Sequence, residues 1–356
     1  MKDKKIGIIT IHSDLNYGAF LQAFALTTFL RNIGYQTKII DYRKIPNSPR
    51  IYKFPMNIVY KIYNIPRLIR YRNFIKPLLS NIRYNTLEEL NTFNEDYDVL
   101  ISGSDQIWNP ICGGLNKLNP AYFLAFTSNN KYKKIAYGSS VGSYIFNDKE
   151  TPYVRKWLSE FKHLSTREDA GALQLKNILD KPVKVVLDPS LLLNKEDWSK
   201  HATKVNINSE YVLVYYIDEL DEVLNYAREI ANKFKWKVAL ITNMAKKHTK
   251  VDINIPHCGP AQFLWLFANA KYIVTNSFHG TAFAINFNKD FISVIKRNSP
   301  QRAQTLLKNV GLPERLLTDI AQVDNLPNKI DWASVNTKLN NLRSDSKEYL
   351  INAIEN

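Results

Sequence analysis

The chain has 356 residues, 45% of them apolar and 23% charged, which excludes a disordered chain and suits two domains of ordinary size. No apolar run approaches the length of a membrane-crossing helix, and two cysteines, Cys112 and Cys258, are too few for a disulfide framework or a thiolate metal site. The net charge is +15, and much of it is concentrated in one early stretch.

Lys5 to Ile11 is a short apolar run, as expected of a strand buried on both faces. It stops at His12-Ser13-Asp14, too soon for an export signal, so a reducing cytoplasm is the expected compartment. Tyr17 to Asn32 then carries apolar residues at helical spacing, with Phe20, Leu21, Phe24, Ala25, Thr28 and Phe29 as the inward stripe and Gly34 just past the end. Thr37 to Tyr42 is the next strand, and the three elements form a right-handed βαβ unit.

From Tyr42 to Leu87 there is no Asp or Glu, but there are ten basic residues: Arg43, Lys44, Arg50, Lys53, Lys61, Arg67, Arg70, Arg72, Lys76 and Arg83. Tyrosines and aliphatics interleave with them, as in Val59-Tyr60-Lys61-Ile62-Tyr63. That mixture suits an anionic membrane surface, and equally the phosphates and bases of a nucleic acid. It is also what a basic helical hairpin packed on its own domain would show. No nucleic-acid-binding motif accompanies the stretch, which favours a membrane or a lipid-linked substrate, with the protein at the inner face of the membrane, and no nucleic-acid partner.

Further strands are predicted at Tyr97–Ser102, Lys134–Ser139, His163–Thr166 and Val183–Leu187. A second series follows at Glu210–Tyr216, Lys237–Ile241, Tyr272–Thr275 and Phe291–Ile295, with a helix over Glu222–Phe234. Alternating strands and helices predict an α/β fold of two Rossmann-like domains with parallel sheets facing an interdomain cleft. The expected boundaries are an N-terminal domain over 1–200 with a basic insertion at 43–90, a C-terminal domain over 201–330, and a helical segment over 331–356 packing back across the junction.

Neither a dinucleotide-binding glycine fingerprint nor a P-loop is present, and no histidine or acidic spacing suggests a metal cage. Four polar clusters instead fall where strands end and helices begin, the usual ligand edge of such sheets. Asn16, Tyr17, Gly18 and Gln22 follow the first strand, and Ser104, Asp105 and Gln106 follow the Tyr97–Ser102 strand. Arg167 follows a short strand, either as an anion clamp or as a salt-bridge partner of Glu168 or Asp169. The fourth cluster, Asn276-Ser277-Phe278-His279-Gly280, closes the Tyr272–Thr275 strand. His279 there either caps a helix or serves as a proton donor where helix N–H groups favour an anion.

Taken together, Asn16-Tyr17-Gly18-Ala19-x-Leu21-Gln22, Gly103-Ser104-Asp105-Gln106-Ile107-Trp108, Ser165-x-Arg167-Glu168, Leu187-Asp188-Pro189 and Thr275-Asn276-Ser277-Phe278-His279-Gly280 resemble, in order and spacing, the polysaccharide pyruvyl transferase family. The resemblance runs from residue 5 to about residue 318 and is loose over 43–90. It implies a GT-B-like fold and transfer of a pyruvyl group from phosphoenolpyruvate to two hydroxyls of a sugar, in a surface polysaccharide or its lipid-linked precursor. A pyruvate ketal forms and phosphate leaves, with no metal and no cofactor beyond the donor. It further implies His279 as general acid and Arg167 as a ligand of the donor. Lys296 and Arg297, after the last strand, are candidate further cations by position alone. The family often carries an arginine two residues before the histidine; here that residue is Ser277. Two other readings stand beside this one: a GT-B-type glycosyltransferase using a nucleotide sugar, and a non-catalytic glycan- or membrane-surface-binding protein.

Overall fold

Ile6, Ile8 and Ile9 are wholly buried, because β1 (Lys5–Ile9) lies at the centre of a sheet covered on both faces. The computed structural model describes residues 3–43, 56–112, 116–127, 131–217, 221–242, 248–294, 301–317 and 329–356, and for Met56–Lys61 and Gln301 the backbone only. Beside β1 stand β2 (Gln36–Tyr42), β3 (Leu79–Tyr84), β4 (Val99–Ser102) and β5 (Lys133–Ala136), all parallel, in the order β3-β2-β1-β4-β5. A small parallel pair, β6 (Ser165–Thr166) and β7 (Lys184–Val185), follows β5 through bridges from Ile135 to His163 and from Ser139 to Thr166. The second sheet is also wholly parallel. It comprises β8 (Tyr211–Tyr215), β9 (Lys237–Ile241), β10 (Ile253–Ile255), β11 (Tyr272–Thr275), β12 (Asp290–Val294) and β13 (Leu316–Leu317), in the order β10-β9-β8-β11-β12-β13.

The helices are α1 (Tyr17–Asn32), α2 (Met56–Ile75), α3 (Leu87–Leu90), α4 (Thr151–Leu158), α5 (Asp169–Leu179), α6 (Lys195–Ser199), α7 (Asp221–Phe234), α8 (Pro260–Asn269), α9 (Phe278–Asn286), α10 (Gln301–Val310) and α11 (Trp332–Glu355). α1 is buried on nearly every face rather than along one stripe, consistent with its apolar residues running all round. In the first core Trp108 is fully buried, stacks on Phe123 at 5.5 Å and donates its indole N–H to the Tyr122 carbonyl at 3.0 Å. The Ile107-Trp108 end of its motif is therefore packing, stabilised by roughly 25 cal/mol per Å² of apolar surface removed from water.

Contacts divide the chain into two units: 1–50, 75–192 and 341–356 form the first, and 51–74 and 193–340 the second. This differs from the boundaries expected from sequence, which kept 43–90 wholly in the N-terminal domain. The reason is side-chain packing. On α2, Tyr63 stacks on His257 at 4.2 Å, Phe74 meets His201 at 6.2 Å, and Arg70 donates to the His257 carbonyl, all partners in the second unit. The expected terminal segment likewise divides at 340/341. Its later part is tied to the first unit by Arg343 Nε donating to the Leu191 carbonyl (2.7 Å) and Leu187 N–H donating to Ser346 Oγ (3.0 Å).

The basic stretch is also less uniform than its composition. Arg43 (2.6 Å) and Arg83 (3.4 Å) pair with the buried Asp41, which also accepts from His12 Nε2 at 3.0 Å. Burial works against the Asp41 charge, but hydrogen bonds from His12 and Arg43 outweigh it and hold this carboxyl well below the usual range. Arg67 is buried beside Tyr71, whereas Arg72 and Lys76 are exposed. Lys44, Arg50 and Lys53 lie outside the described residues.

Candidate active site

In an open parallel sheet, the crevice for a ligand lies where strand order reverses, at the carboxyl ends of the strands. In the first unit that point falls between β1 and β4, and in the second between β8 and β11. Each of the four clusters singled out in the sequence lies at the carboxyl edge of its own sheet. Those following β1, β4 and β11 flank the two reversal points.

At the first reversal point Asn16 is the N-cap of α1, its side chain accepting from Gly18 N–H at 2.9 Å and Ala19 N–H at 3.4 Å. Tyr17 is buried behind it. One turn on, the buried Gln22 donates through Nε2 to Thr10 Oγ1 (2.9 Å) and the Ala19 carbonyl (2.8 Å). Thr10 Oγ1 in turn donates to the Ser104 carbonyl at 2.8 Å. A continuous chain of buried hydrogen bonds thus ties α1 to the loop after β4. Gly103 begins that loop where a Cβ would lie 2.9 Å from Thr10 Cβ, so the close approach requires glycine.

Ser104 donates to the Gly138 carbonyl at 2.8 Å, and Asp105 sits in the left-handed region with φ 73°, its carboxylate accepting from Gln106 N–H at 2.8 Å. Gln106 Oε1 accepts from Asn109 at 3.0 Å. Beside this loop lies a cavity of about 70 Å³ whose lining includes Asp14, Gln106, Asn109, Lys117, Asn119 and Tyr122, a wall rich in groups able to bond hydroxyls.

Arg167 reaches into the same network from the end of β6. It pairs with Asp188 through Nη1 and with Asp105 through Nη2 at 3.4 Å, while its side chain is 1% exposed and that of Asp188 0%. Burial disfavours its charge, but Asp188, Asp105 and Glu168 outweigh this and raise its pKa further. Glu168 accepts from Ser140 Oγ. Where the sequence left a choice between an anion clamp and a partner for Glu168 or Asp169, the guanidinium is thus held by Asp188 and Asp105. Asp188, part of the Leu187-Asp188-Pro189 motif, and Thr10 also belong to this network, and neither is marked as a site residue by its neighbours in sequence. Their positions are set by tertiary convergence, which spacing along the chain does not encode.

At the second reversal point Thr275 Oγ1 donates to the Tyr215 carbonyl at 2.6 Å, and Asn276 accepts from Ile217 N–H at 2.8 Å, tying β11 to the loop after β8. Ser277 is the N-cap of α9: its Oγ accepts from Gly280 N–H at 3.4 Å and its carbonyl from Thr281 N–H at 2.9 Å. The residue at the position of the family's arginine therefore starts the helix here. His279 follows within the first turn, largely buried, its ring edge-on to Phe278 at 5.1 Å, in a turn that carries no acidic residue. The Arg302 guanidinium lies over the Phe278 ring at 5.5 Å. An anion at this helix start would meet the positive end of the helix, the imidazole and a neighbouring cation. Lys296 and Arg297 lie outside the described residues.

Gly280 is where backbone space is tightest: a Cβ would fall 2.1 Å from Thr275 Oγ1. Gly280→Ala is expected to push α9 off β11, destabilising the protein by about 1–3 kcal/mol in urea denaturation, as overpacking does. An unchanged midpoint would contradict this packing.

Over residues 16–298 the chain matches the family described as polysaccharide pyruvyl transferase. The chain belongs to that family. The match spans the site residues singled out in the sequence, from Asn16 to Arg297. No curated protein sequence matches the chain. Solved structures of similar fold include the UDP-GlcNAc 2-epimerase of Methanocaldococcus jannaschii, 14% identical over 96% of this chain and 99% of that one, with a TM-score of 0.51. Another UDP-N-acetylglucosamine 2-epimerase is 10% identical over 98% and 94%, with a TM-score of 0.58. An alpha-glucosyltransferase in complex with UDP and a 13-mer DNA is 9% identical over 97% and 91%, with a TM-score of 0.50. At such identities the likeness concerns the fold, and it is the GT-B-like arrangement of parallel α/β sheets expected for the family. Among the described residues no helix is long and apolar enough to cross a membrane.

Proposed function

We propose that this member of the family transfers a pyruvyl group from phosphoenolpyruvate to two hydroxyls of one sugar in a surface polysaccharide or its lipid-linked precursor. The observation that carries the reading is the placing of His279 at the start of α9, beside the reversal point of a sheet whose chain matches the family across 16–298. The helix start and nearby cations, with Arg302 described and Lys296 and Arg297 added by sequence, hold the donor's negative charge. His279 acts as general acid and delivers a proton to the methylene carbon of phosphoenolpyruvate, which becomes a methyl group. C2 is then oxocarbenium-like and is attacked by the first sugar hydroxyl, which gives up its proton. The C2–O bond to phosphate breaks, phosphate departs with a proton, and the second hydroxyl closes the ketal as its own proton returns to His279.

On this reading the first unit serves the acceptor. The cavity bearing Asp14, Asn109 and Asn119 bonds sugar hydroxyls, and Asn16, Tyr17, Gly18, Gln22, Ser104, Asp105 and Gln106 shape the loops around it. Arg167 is a positioning residue, holding Asp105 and Asp188 rather than the donor. In the second unit Asn276 and Ser277 set the start of α9.

Purified protein given phosphoenolpyruvate and candidate surface oligosaccharides is expected to release phosphate. It is also expected to add to the acceptor the mass of one pyruvic acid less one water. The likeness in fold to an alpha-glucosyltransferase keeps a nucleotide-sugar glycosyltransferase as a second reading. Silence with phosphoenolpyruvate and turnover with a nucleoside diphosphate sugar would replace the first reading by the second.

A further inference from the structure

α2 is built inside out. Along its middle the side chains it buries are polar or amphipathic, Asn64 being 2% exposed, Arg67 1% and Tyr71 4%, and only its last residue, Ile75 (4%), buries an aliphatic among the described side chains. Its outer face is aliphatic, with Ile62 61% exposed, Ile65 47%, Leu68 44% and Ile69 52%. Ile62, Ile65 and Ile69 fall at i, i+3 and i+7, so they form one stripe along the helix. Leu68 flanks the stripe. Arg72 continues the same row, exposed and, among the described residues, paired with no carboxylate. No acidic residue occurs anywhere from Tyr42 to Leu87.

We propose that this outer face of α2 docks in the plane of an anionic lipid surface. Aliphatic side chains facing water gain by entering the boundary between headgroups and acyl chains, and Arg72 keeps its charge at the phosphates while its stem follows the apolar row. The absence of acidic residues removes the repulsion an anionic leaflet would otherwise meet. A nucleic acid would use the cations but gain nothing from four exposed aliphatics, which decides for lipid. Such docking goes beyond the transfer chemistry: it would bring a soluble enzyme to an acceptor carried on lipid, and it holds whichever donor the enzyme uses.

The test is flotation of the full-length protein with vesicles, without donor or acceptor, so that its outcome is independent of the transfer reaction. The protein is expected to float with vesicles of phosphatidylglycerol mixed with phosphatidylcholine and to bind pure phosphatidylcholine at least about tenfold more weakly. Raised salt should weaken binding. Ile65→Asp with Ile69→Asp should lower binding at least about tenfold while leaving the melting temperature near that of wild type. Arg72→Glu, a milder surface change, should lower it by a smaller factor. Failure of the wild type to float, or flotation of the double variant equal to wild type, would overturn the proposal. So would a self-association in sedimentation that the double variant abolishes, assigning the face to a second copy, or binding to plain RNA strong enough to displace the protein from vesicles.

Discussion

Replacing His279 by alanine is expected to lower kcat for phosphate release from phosphoenolpyruvate by about 10²- to 10⁴-fold, the usual contribution of a positioned general acid. The effect should fall on kcat more than on KM, because in the proposed mechanism the helix start and the cations carry most of the hold on the donor's anionic groups and the imidazole acts in the proton transfer. Ser277 and not His279 caps α9, so the helix should survive the change. His279→Gln, which keeps a polar side chain of similar reach but cannot deliver the proton, should be as inactive as the alanine variant. Added imidazole should restore part of the alanine variant's rate and none of the rate of a variant that fails to fold. Undiminished turnover in both variants would remove His279 from the chemistry.

The second large effect is on stability. Arg167→Met should cost about 3–5 kcal/mol in urea denaturation, because it leaves Asp188 and Asp105 as uncompensated negative charges. Asp188→Asn added to Arg167→Met should recover part of that loss, since the deeper of the two stranded charges is then gone. Arg167→Lys should not substitute, because one ammonium cannot span two carboxylates as the guanidinium fork does. An unchanged unfolding midpoint would contradict the positioning role, and a raised KM for phosphoenolpyruvate in the variant that remains folded would add the donor contact that the resemblance implies.

Much of the architecture was legible because long apolar runs leave few choices. α1 and β11 have the bounds that helical spacing and an unbroken apolar run predict, and β9 follows the same logic. The strands not predicted, β3, β10 and β13, all lie at a sheet edge with one neighbour each, and β13 is only two residues long. β3 also lies within the basic stretch, where Asn81 and Arg83 interrupt the apolar signal. The first strand stops at Ile9 rather than Ile11 because Thr10 turns its hydroxyl to the loop after β4.

The site was legible by kind and position, since turns at strand ends in a parallel sheet face one edge. Its internal bonding was not. Arg167 lies next to two acidic residues in sequence, yet its ion pairs run to Asp105, 62 positions away, and Asp188, 21 positions away. The inversion of α2 was hidden for a related reason. Its cations, tyrosines and aliphatics interleave along the sequence, and which side faces inward is shown by the burial of Asn64, Arg67 and Tyr71 and by the packing of Tyr63 on His257.

The central claim is tested most directly by turnover of phosphoenolpyruvate labelled at C2 with carbon-13, in heavy water, with an oligosaccharide acceptor. The account predicts a labelled quaternary ketal carbon in the product, phosphate released in equal amount, and one deuterium in the ketal methyl group, delivered through His279 from solvent. Phosphate release yielding only free pyruvate, or no reaction with phosphoenolpyruvate alongside transfer from a nucleotide sugar, would contradict it.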